Sequence, residues 1–386
     1  MRTLAFADVH LVSNTPEQVS RDLAALIEGH KGARLIIVGD LFDLASETPK
    51  RPLERALAEV LAVHQSLRNA LSLHLEQGGQ LWMCAGNHDA EVALGTFESA
   101  FTSALSLSAA AKSRLRTTPW FFREGALHIE HGHIYDPDNA PDHPLVFNSN
   151  TLGKHFVEHF LAPTGAYRYL NVNDQTPLSL FLSAFRWYGT RAPYVIYRYF
   201  YTAISAMMSS GPFYAGDALV GAGREKAIEF AEQFGIPQEL CESVFSASAT
   251  PTMKSLAHTF SRLYFDRVLA TIAISAGLGS ALSGRVEKGA LIAALGAILM
   301  SASWARGHNR YGGNVTEYLS EGAERIAQST GAKLVIFGHT HREGQGQSYQ
   351  NTASFAFPRE APGRPYLEIE GSADFPRAER KYLISS

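Results

Sequence analysis

Cysteine is scarce in this chain, and so is any excess of basic charge. The 386 residues include only two cysteines, Cys84 and Cys241, which cannot form a disulfide framework and therefore indicate a reducing compartment. Lysine and arginine total 34 against 37 aspartates and glutamates, for a net charge of -3. The chain thus lacks the basic surface that nucleic-acid binding requires, and we expect no nucleic-acid partner. No internal repeat or low-complexity tract is visible, which excludes a repeat architecture.

A secretory leader is another feature that the sequence does not display. A signal peptide needs a charged first region and then a longer apolar stretch. Here Asp8, the first residue of chemical interest, follows only a short apolar run. We therefore expect a cytoplasmic protein.

The first part of the chain alternates strand-like and helix-like patterns. Short apolar runs that predict strands cover residues 4–7, 35–38 and 81–85, and residues 127–131 look like one more strand. Helical patterns cover residues 18–27 and 52–77. Polar residues follow the strand-like runs directly. This order predicts a layered α/β domain with its ligand site at the carboxyl ends of the strands.

A different composition interrupts this pattern in the middle of the chain. Residues 144–313 are rich in aromatics, alanine, serine and glycine and look helical. The α/β pattern then returns with a predicted helix at 315–328, a strand at 333–337 and closing strands at 349–354, 366–369 and 381–385. We therefore predict one core built from residues 1–143 and 314–386, with a helical cap inserted between its halves.

Five short motifs follow one another at the ends of predicted strands. They are D-x-H at Asp8 and His10, G-D-x-x-D at Asp40 and Asp43, G-N-H-D at Asn87 to Asp89, H-G-H at His131 and His133, and G-H-T-H at His339 and His341. D-x-H alone is expected by chance about 0.5 times in such a chain, but G-N-H-D arises in only about one chain in a thousand. The ordered set is therefore highly specific.

The residue types in these motifs suit a pair of divalent metals. Imidazole nitrogen and carboxylate oxygen favour zinc, manganese and iron. Two metals about 3.5–4 Å apart need a bridging carboxylate and about three further ligands each. Such a site keeps net positive charge, attracts phosphate and lowers the pKa of a bridging water, so that a metal-bound hydroxide can attack phosphorus.

The motif set resembles that of the calcineurin-like metallophosphoesterases. The resemblance covers both flanking stretches and implies a four-layer αββα sandwich and a phosphoester or pyrophosphate hydrolase with two divalent metals, manganese foremost and zinc or iron as alternatives. It further implies one metal on Asp8, His10 and His341, the other on Asn87, His131 and His339, and Asp40 as the bridge.

The same resemblance implies roles beside the metals. His88 would protonate the leaving oxygen or steady the phosphate, and Asp89 would hold His88 in place, so we predict both as catalytic residues. Asp43 would support the metal-binding loop.

Within the family, His131-Gly132 and residues 351–355 are similar to the UDP-2,3-diacylglucosamine pyrophosphatase branch. This favours a lipid-linked phosphate such as UDP-diacylglucosamine. That branch usually has arginine at the position of His88 and a shorter insertion. The alternatives are a soluble phosphodiesterase or phosphatase acting on nucleotides or phosphoproteins, and a non-catalytic scaffold with the same fold.

Several polar residues near the motifs have two interpretations. His133 competes with His131 as a ligand, and we favour His131 because it lies nearest the strand end. We expect His128 to be structural. Asp136, Asp138, Asn139 and Asp142 either bind substrate or a third cation, or form a polar turn between Pro137 and Pro141.

The predicted insertion contains an aromatic and basic cluster. Its arginines are Arg186, Arg191 and Arg198, and they either bind substrate phosphates beneath aromatic rings or pack as ordinary helix residues.

Two uncharged segments, 268–284 and 289–305, predict a helical hairpin. It is either buried in the cap or in a homodimer interface, or it dips into the inner face of a membrane and meets a lipid substrate there.

Overall fold

The computed structural model of the chain describes residues 2–44, 50–146, 150–166, 177–307, 314–358 and 362–384. These residues divide into two compact units. The first contains Met1–Glu158, Ala215–Pro251 and Val315–Ser386, and the second contains His159–Tyr214 and Thr252–Asn314.

Two β-sheets form the centre of the first unit. The six-stranded sheet has the order β11-β10-β1-β2-β3-β4 and the five-stranded sheet the order β5-β6-β7-β9-β8. The strands are β1 Thr3–Phe6, β2 Arg34–Ile37, β3 Gln80–Cys84, β4 Leu115–Thr118, β5 Phe121–Glu124, β6 Leu127–Glu130, β7 Leu334–Phe337, β8 Glu343–Gln345, β9 Tyr349–Thr352, β10 Arg364–Ser372 and β11 Phe375–Leu383. Strands β1 to β4 run parallel to one another, as do β6, β7 and β9.

Fifteen α-helices accompany the strands among the described residues. They are α1 Glu17–Gly29, α2 Leu53–Val63, α3 Gln65–Glu76, α4 Phe97–Ala104, α5 Ala109–Lys112, α6 Leu152–Phe156, α7 Ala162–Thr164, α8 Pro177–Tyr188, α9 Ala192–Met208, α10 Asp217–Phe234, α11 Gln238–Ser246, α12 Leu256–Arg262, α13 Phe265–Leu282, α14 Val286–Ala305 and α15 Val315–Thr330.

Three apolar cores hold the layers of the first unit together. Small and β-branched side chains such as Ala5, Ile36 and Ile336 fill the space between the sheets. Helices α1 to α5 cover the outer face of the six-stranded sheet, and α10, α11 and α15 cover that of the five-stranded sheet. Each sheet therefore has one face on the other sheet and one on helices, which is the predicted αββα sandwich.

The prediction of one long helix over residues 52–77 is wrong in one respect, because the helix is interrupted at His64. That residue has φ −97° and ψ 54° and separates α2 from α3. Its ring lies 3.0 Å from Ser20 Oγ through Nδ1 and 3.0 Å from the Val12 carbonyl through Nε2. These tertiary contacts hold His64 in a non-helical conformation, so two helices form where one was predicted.

The insertion occupies less of the chain than the predicted 144–313. Residues 215–251 belong to the first unit, where Phe230 of α10 and Val244 of α11 are buried in one core with Leu319 of α15. The amphipathic faces of α10 and α11 thus complete the outer layer of the five-stranded sheet. A helical pattern in the sequence does not by itself show in which unit a helix packs.

The second unit is helical throughout its described residues. It contains α7 to α9 and α12 to α14, and α13 and α14 form the predicted hairpin. Both hairpin helices are long and apolar enough to cross a membrane, and only 17% of each is buried. Among the described residues the hairpin is therefore not buried in the cap, and the dimer interface and the membrane stay predictions.

Candidate metal centre

The seven predicted metal ligands converge at the carboxyl ends of five strands. Asp8 and His10 follow β1, Asp40 follows β2, Asn87 follows β3, His131 follows β6, and His339 and His341 follow β7. Both sheets contribute, because β1, β2 and β3 belong to one and β6 and β7 to the other. Parallel strands deliver their following residues to one edge, so residues distant in sequence meet there.

The first group of donor atoms comes from Asp8, His10 and His341. The Nε2 atoms of the two histidines are 3.0 Å apart, and Asp8 Oδ1 is 3.3 Å from His341 Nε2 and 3.8 Å from His10 Nε2. Ligands about 2.1 Å from one ion and at right angles are about 3.0 Å apart. Asp8 Oδ1 is buried without a hydrogen-bond partner. A cation would compensate this carboxylate oxygen.

The second group comes from Asn87, His131 and His339. Asn87 Oδ1 lies 3.0 Å from His131 Nε2 and 3.1 Å from His339 Nδ1. Three donors of these types around a common point fit a second divalent ion.

Asp40 lies between the two groups. Its Oδ2 is 3.1 Å from His131 Nε2 and 3.9 Å from His10 Nε2, while Oδ1 accepts a hydrogen bond of 2.9 Å from the His88 backbone N–H. Burial alone would raise the pKa of Asp40, but the imidazoles of His131 and His88 lower it well below its usual value. Asp40 is therefore an anionic carboxylate with one oxygen directed toward both groups.

The charge balance around His131 favours a cation. Burial lowers the pKa of this imidazole, but the Asp40 carboxylate outweighs burial and raises it to about 9. The site thus prefers positive charge beside Asp40. A divalent ion would supply that charge in place of the proton.

Left-handed backbone angles recur at the candidate ligand positions. Five ligands, none of them glycine, have left-handed backbone angles: Asp8 (φ 55°), His10 (49°), Asp40 (53°), His339 (68°) and His341 (56°). This conformation costs about 1–2 kcal/mol per residue, and such residues cluster at functional sites. The fold therefore maintains a strained backbone to direct these side chains inward.

Neighbouring groups fix the orientation of two ligand rings. His131 Nδ1 donates to the Val38 carbonyl at 2.8 Å, which leaves Nε2 as the metal-facing nitrogen. His339 Nε2 lies 2.9 Å from Asp136 Oδ2, which leaves Nδ1 facing Asn87. A carboxylate or carbonyl behind an imidazole fixes its tautomer and raises its basicity toward metal.

Two glycines permit the close approach of the loops. A Cβ on Gly86 would lie 2.0 Å from Asp40 Oδ1, and one on Gly39, whose φ is +84°, would lie 2.5 Å from His131 Nδ1. The glycines of G-D-x-x-D and G-N-H-D are therefore steric requirements of the site.

His88 borders the first group and is paired with Asp43. Its Nδ1 is 3.0 Å from Asp43 Oδ1, and its ring centroid is 4.8 Å from that of His10. Burial would lower the pKa of His88, but the carboxylates of Asp43 and Asp40 raise it to about 10. His88 is thus a protonated imidazole that Asp43 orients.

The expectation that Asp89 holds the His88 ring is wrong. Asp89 Oδ1 accepts from the backbone N–H groups of Gly86 and Asp40, and Oδ2 accepts from those of Leu41 and Phe42, at 2.8–3.3 Å. Asp89 and Asp43 therefore exchange the roles that we expected, and Asp89 positions the loop that carries Asp40. Residue type and spacing do not decide which of the two carboxylates reaches the ring.

The competition between His131 and His133 has a clear geometric outcome. Gly132, with φ 94°, ends the strand pattern, and His133 begins a short 3₁₀ helix instead of continuing β6. His133 is buried, and burial and then the neighbouring His131 lower its pKa well below the usual value. His128 pairs with Glu130 at 2.8 Å inside the core, in the structural role expected of it.

The predicted substrate-binding arginines all lie in the second unit. Arg186 is exposed on α8, Arg191 donates to the Thr164 carbonyl at 3.1 Å, and Arg198 donates to the His159 carbonyl. The guanidinium of Arg198 also lies 5.5 Å from the Tyr201 ring. Their contacts are within that unit, and substrate binding by them stays a prediction.

Sequence reasoning missed two residues that lie beside the ligands. Asp136, considered only as a ligand of substrate or of a third cation or as a turn residue, contacts His339. Phe357 is 42% exposed, and its ring centroid lies 6.2 Å from that of His341 and 6.3 Å from that of His10. The only sequence signal for Asp136 was its place as an acidic residue shortly after H-G-H. No sequence signal indicated Phe357.

Comparison with known proteins agrees with this geometry. The model of the calcineurin-like phosphoesterase family matches residues 1–190, which include Asp8, His10, Asp40, Asn87 and His131. The match ends before His339 and His341, which the second unit separates from the first five ligands. No curated protein matches the chain. The chain therefore contains a calcineurin-like phosphoesterase domain and is a phosphoesterase hydrolase whose converging histidines, carboxylates and amide fit two divalent metal ions.

Proposed function

We propose that the protein hydrolyses a lipid-linked phosphate or pyrophosphate, such as UDP-diacylglucosamine, at a dinuclear metal centre, with manganese as the working metal. The observation that carries the hydrolytic part is the convergence of the two donor groups on Asp40 Oδ2. Two divalent ions held there would supply an activated water as the nucleophile and positive charge for the phosphate oxygens.

The side chains of this protein have distinct tasks in that reaction. Asp8, His10 and His341 would hold one ion, Asn87, His131 and His339 would hold the other, and Asp40 would contribute to both. His88 holds a proton, and its Nε2 is the atom that donates it to the leaving oxygen. Asp43 fixes the opposite nitrogen of that ring at 3.0 Å.

Two features support a substrate with an apolar or aromatic part. Phe357 presents an exposed ring beside His10 and His341, where a base or sugar can stack. The second unit exposes apolar helices, and exposed apolar surface of this kind marks protein or membrane contact sites. We place the protein in the cytoplasm at the inner face of a membrane, and its two free, buried cysteines suit a reducing compartment.

A soluble phosphodiesterase or phosphatase is the alternative. The same ligands and His88 would act on a nucleotide or a phosphoprotein without change, and the net charge of -3 argues against long nucleic acids as substrates. Phe357 would then contact a nucleobase.

The test is hydrolysis by the purified full chain with manganese. The substrates are bis-p-nitrophenyl phosphate, nucleoside monophosphates, cyclic nucleotides, UDP-diacylglucosamine and phosphatidic acid, each with and without detergent micelles. Turnover of a lipid-linked substrate that increases with micelles supports the proposal. Turnover confined to small soluble esters overturns the lipid assignment and favours the alternative, while metal-independent turnover contradicts the dinuclear centre.

A further inference from the structure

The hairpin of α13 and α14 buries its small residues and exposes its large ones. The buried positions include Ala270 and Gly277 on α13, and Gly289, Gly296 and Ser303 on α14, at intervals of seven residues. A Cβ on Gly277 would lie 2.5 Å from the Ala293 backbone nitrogen, so the two backbones are in contact. A helix pair in water does the opposite and buries large apolar side chains at its seven-residue repeat.

The large apolar side chains point away from this contact. Ile272 and Leu278 are 57% and 56% exposed, and Leu295 and Ile298 are 58% and 65% exposed. Ile272 and Leu278 are about 120° apart around the helix axis, so the apolar surface is not a single stripe. A protein partner or a second copy would cover one stripe, whereas lipid surrounds a helix on all sides.

The charges of the hairpin lie only at its two ends. Segments 268–284 and 289–305 have no charged residue. Asp266, Arg267 and Arg306 lie at the open end, and Arg285, Glu287 and Lys288 lie at the turn, so each end carries a net positive charge. With 18 and 20 residues, the helices are about 27 and 30 Å long. The hydrocarbon core of a bilayer is about 30 Å thick, and basic side chains at its edges meet headgroup phosphates.

Two further details suit this environment. Trp304 is 56% exposed at the open end of α14, and tryptophan favours the boundary between lipid and water. Thr271 Oγ1 donates to the Arg267 carbonyl at 2.8 Å, so this hydroxyl needs no water.

We propose that α13 and α14 insert together into a lipid bilayer as a helical hairpin, with Arg285 and Lys288 at the far headgroup layer. The inference rests on the hairpin alone and goes beyond the proposed hydrolysis. Its tests measure membrane insertion and not turnover. Failure of insertion would leave the hydrolytic chemistry standing and would remove one support for a lipid-linked substrate, whereas failure of hydrolysis would leave insertion standing.

The test compares lysine substitutions at two depths in the full chain. Ile272→Lys combined with Leu295→Lys places charge near the middle of both helices. The control, Leu282→Lys with Val286→Lys, alters side chains that are 89% and 62% exposed beside the turn. Because all four side chains are exposed, the packing of the protein should survive, and thermal melting in detergent checks this. Each protein is reconstituted into phosphatidylethanolamine–phosphatidylglycerol vesicles, washed with alkaline carbonate and floated on a density gradient.

Wild type and the turn variant should float with the vesicles after the wash. The floating fraction of the mid-helix variant should be at least about ten-fold lower than that of wild type, since one lysine at the bilayer centre disfavours insertion by roughly 10²-fold. Wild type that remains soluble after the wash overturns the proposal, as does equal behaviour of the two lysine pairs. A discrete dimer of wild type without detergent, dissociated by both lysine pairs, would instead assign the hairpin to self-association.

Discussion

Asp136 and His339 form a carboxylate–imidazole pair, with Asp136 Oδ2 2.9 Å from Nε2 of the ring. The other nitrogen of the same ring, Nδ1, lies 3.1 Å from Asn87 Oδ1. Asp136 therefore lies behind a metal ligand without belonging to the ligand set, and it connects the loop after β6 to the loop after β7.

Asp136→Asn should weaken binding of the second metal ion by about 10–100-fold, because the carboxamide raises the basicity of His339 less than the carboxylate does. Manganese titration followed by calorimetry measures this. Glu130→Gln is the matched control, since Glu130 is also a buried acid paired with a histidine, His128, that is not a ligand. The control should lose about 1–3 kcal/mol of stability and retain its metal affinity. Equal metal loss in both variants would refute the role of Asp136.

Asp40→Ala should abolish metal binding and hydrolysis together, because both donor groups share this carboxylate. Elemental analysis of the dialysed protein should show about two manganese ions per wild-type chain and fewer in the variant. Asp22→Ala removes another buried acid, which pairs with Arg364 outside the ligand set, and should keep both ions. Normal turnover by Asp40→Ala would disprove the dinuclear assignment.

His88→Ala should keep both metal ions and lose about 10²–10⁴-fold in kcat, the usual contribution of a general acid. The loss should be larger for alkyl phosphates than for p-nitrophenyl phosphates, since only a poor leaving group needs the proton. Asp43→Asn should produce a smaller loss with the same dependence on the leaving group. If His88→Ala slows both substrate types equally, the residue steadies the phosphate and does not protonate the leaving oxygen.

Gly86→Ala should eliminate metal binding although it adds one methyl group, because the new Cβ would lie 2.0 Å from Asp40 Oδ1. Gly95→Ala is the control, since nothing lies within 4 Å of its Cβ, and it should retain metal and activity. Metal content and melting temperature, measured on both variants, separate displacement of Asp40 from general unfolding. Full metal content in Gly86→Ala would show that the loop can move away.

Cys241 should resist alkylation in the folded protein at pH 8. Burial, and then the charge of Glu242, raise the pKa of its thiol to about 11, so only about 0.1% is thiolate at that pH. Labelling by iodoacetamide, followed by mass spectrometry, should increase as the pH approaches 11 and become rapid in urea. Rapid labelling of the native chain at pH 8 would show that α11 opens locally.

The sequence was sufficient to predict the sandwich and the convergence of the ligands. Asp40, Asn87 and His339 each follow an apolar strand pattern, and parallel strands bring such residues to one edge whatever the loop lengths. The helices were harder to assign, because α10 and α11 lie within the predicted insertion but pack in the first unit. A sequence pattern can predict that a helix forms, but only tertiary contacts decide which surface that helix covers.

The sequence could not predict the contacts that support the ligands. Asp43 and Asp89 are both acids near His88 in space, and only the fold determines that one reaches the ring and the other the backbone. The left-handed backbone of Asp8 or His339 was equally hidden, since neither residue type requires it. Such strained positions depend on the whole fold and leave no local pattern.

His10 and His341 meet across 331 positions of the sequence. During translation the ribosome completes the hairpin of α13 and α14 before it reaches the last two imidazole ligands. A nascent chain therefore holds an incomplete metal centre for most of its synthesis. The apolar helices α13 and α14 are synthesised before that centre is complete. If the hairpin enters a bilayer as proposed, this order of synthesis completes the membrane-binding helices before the metal centre.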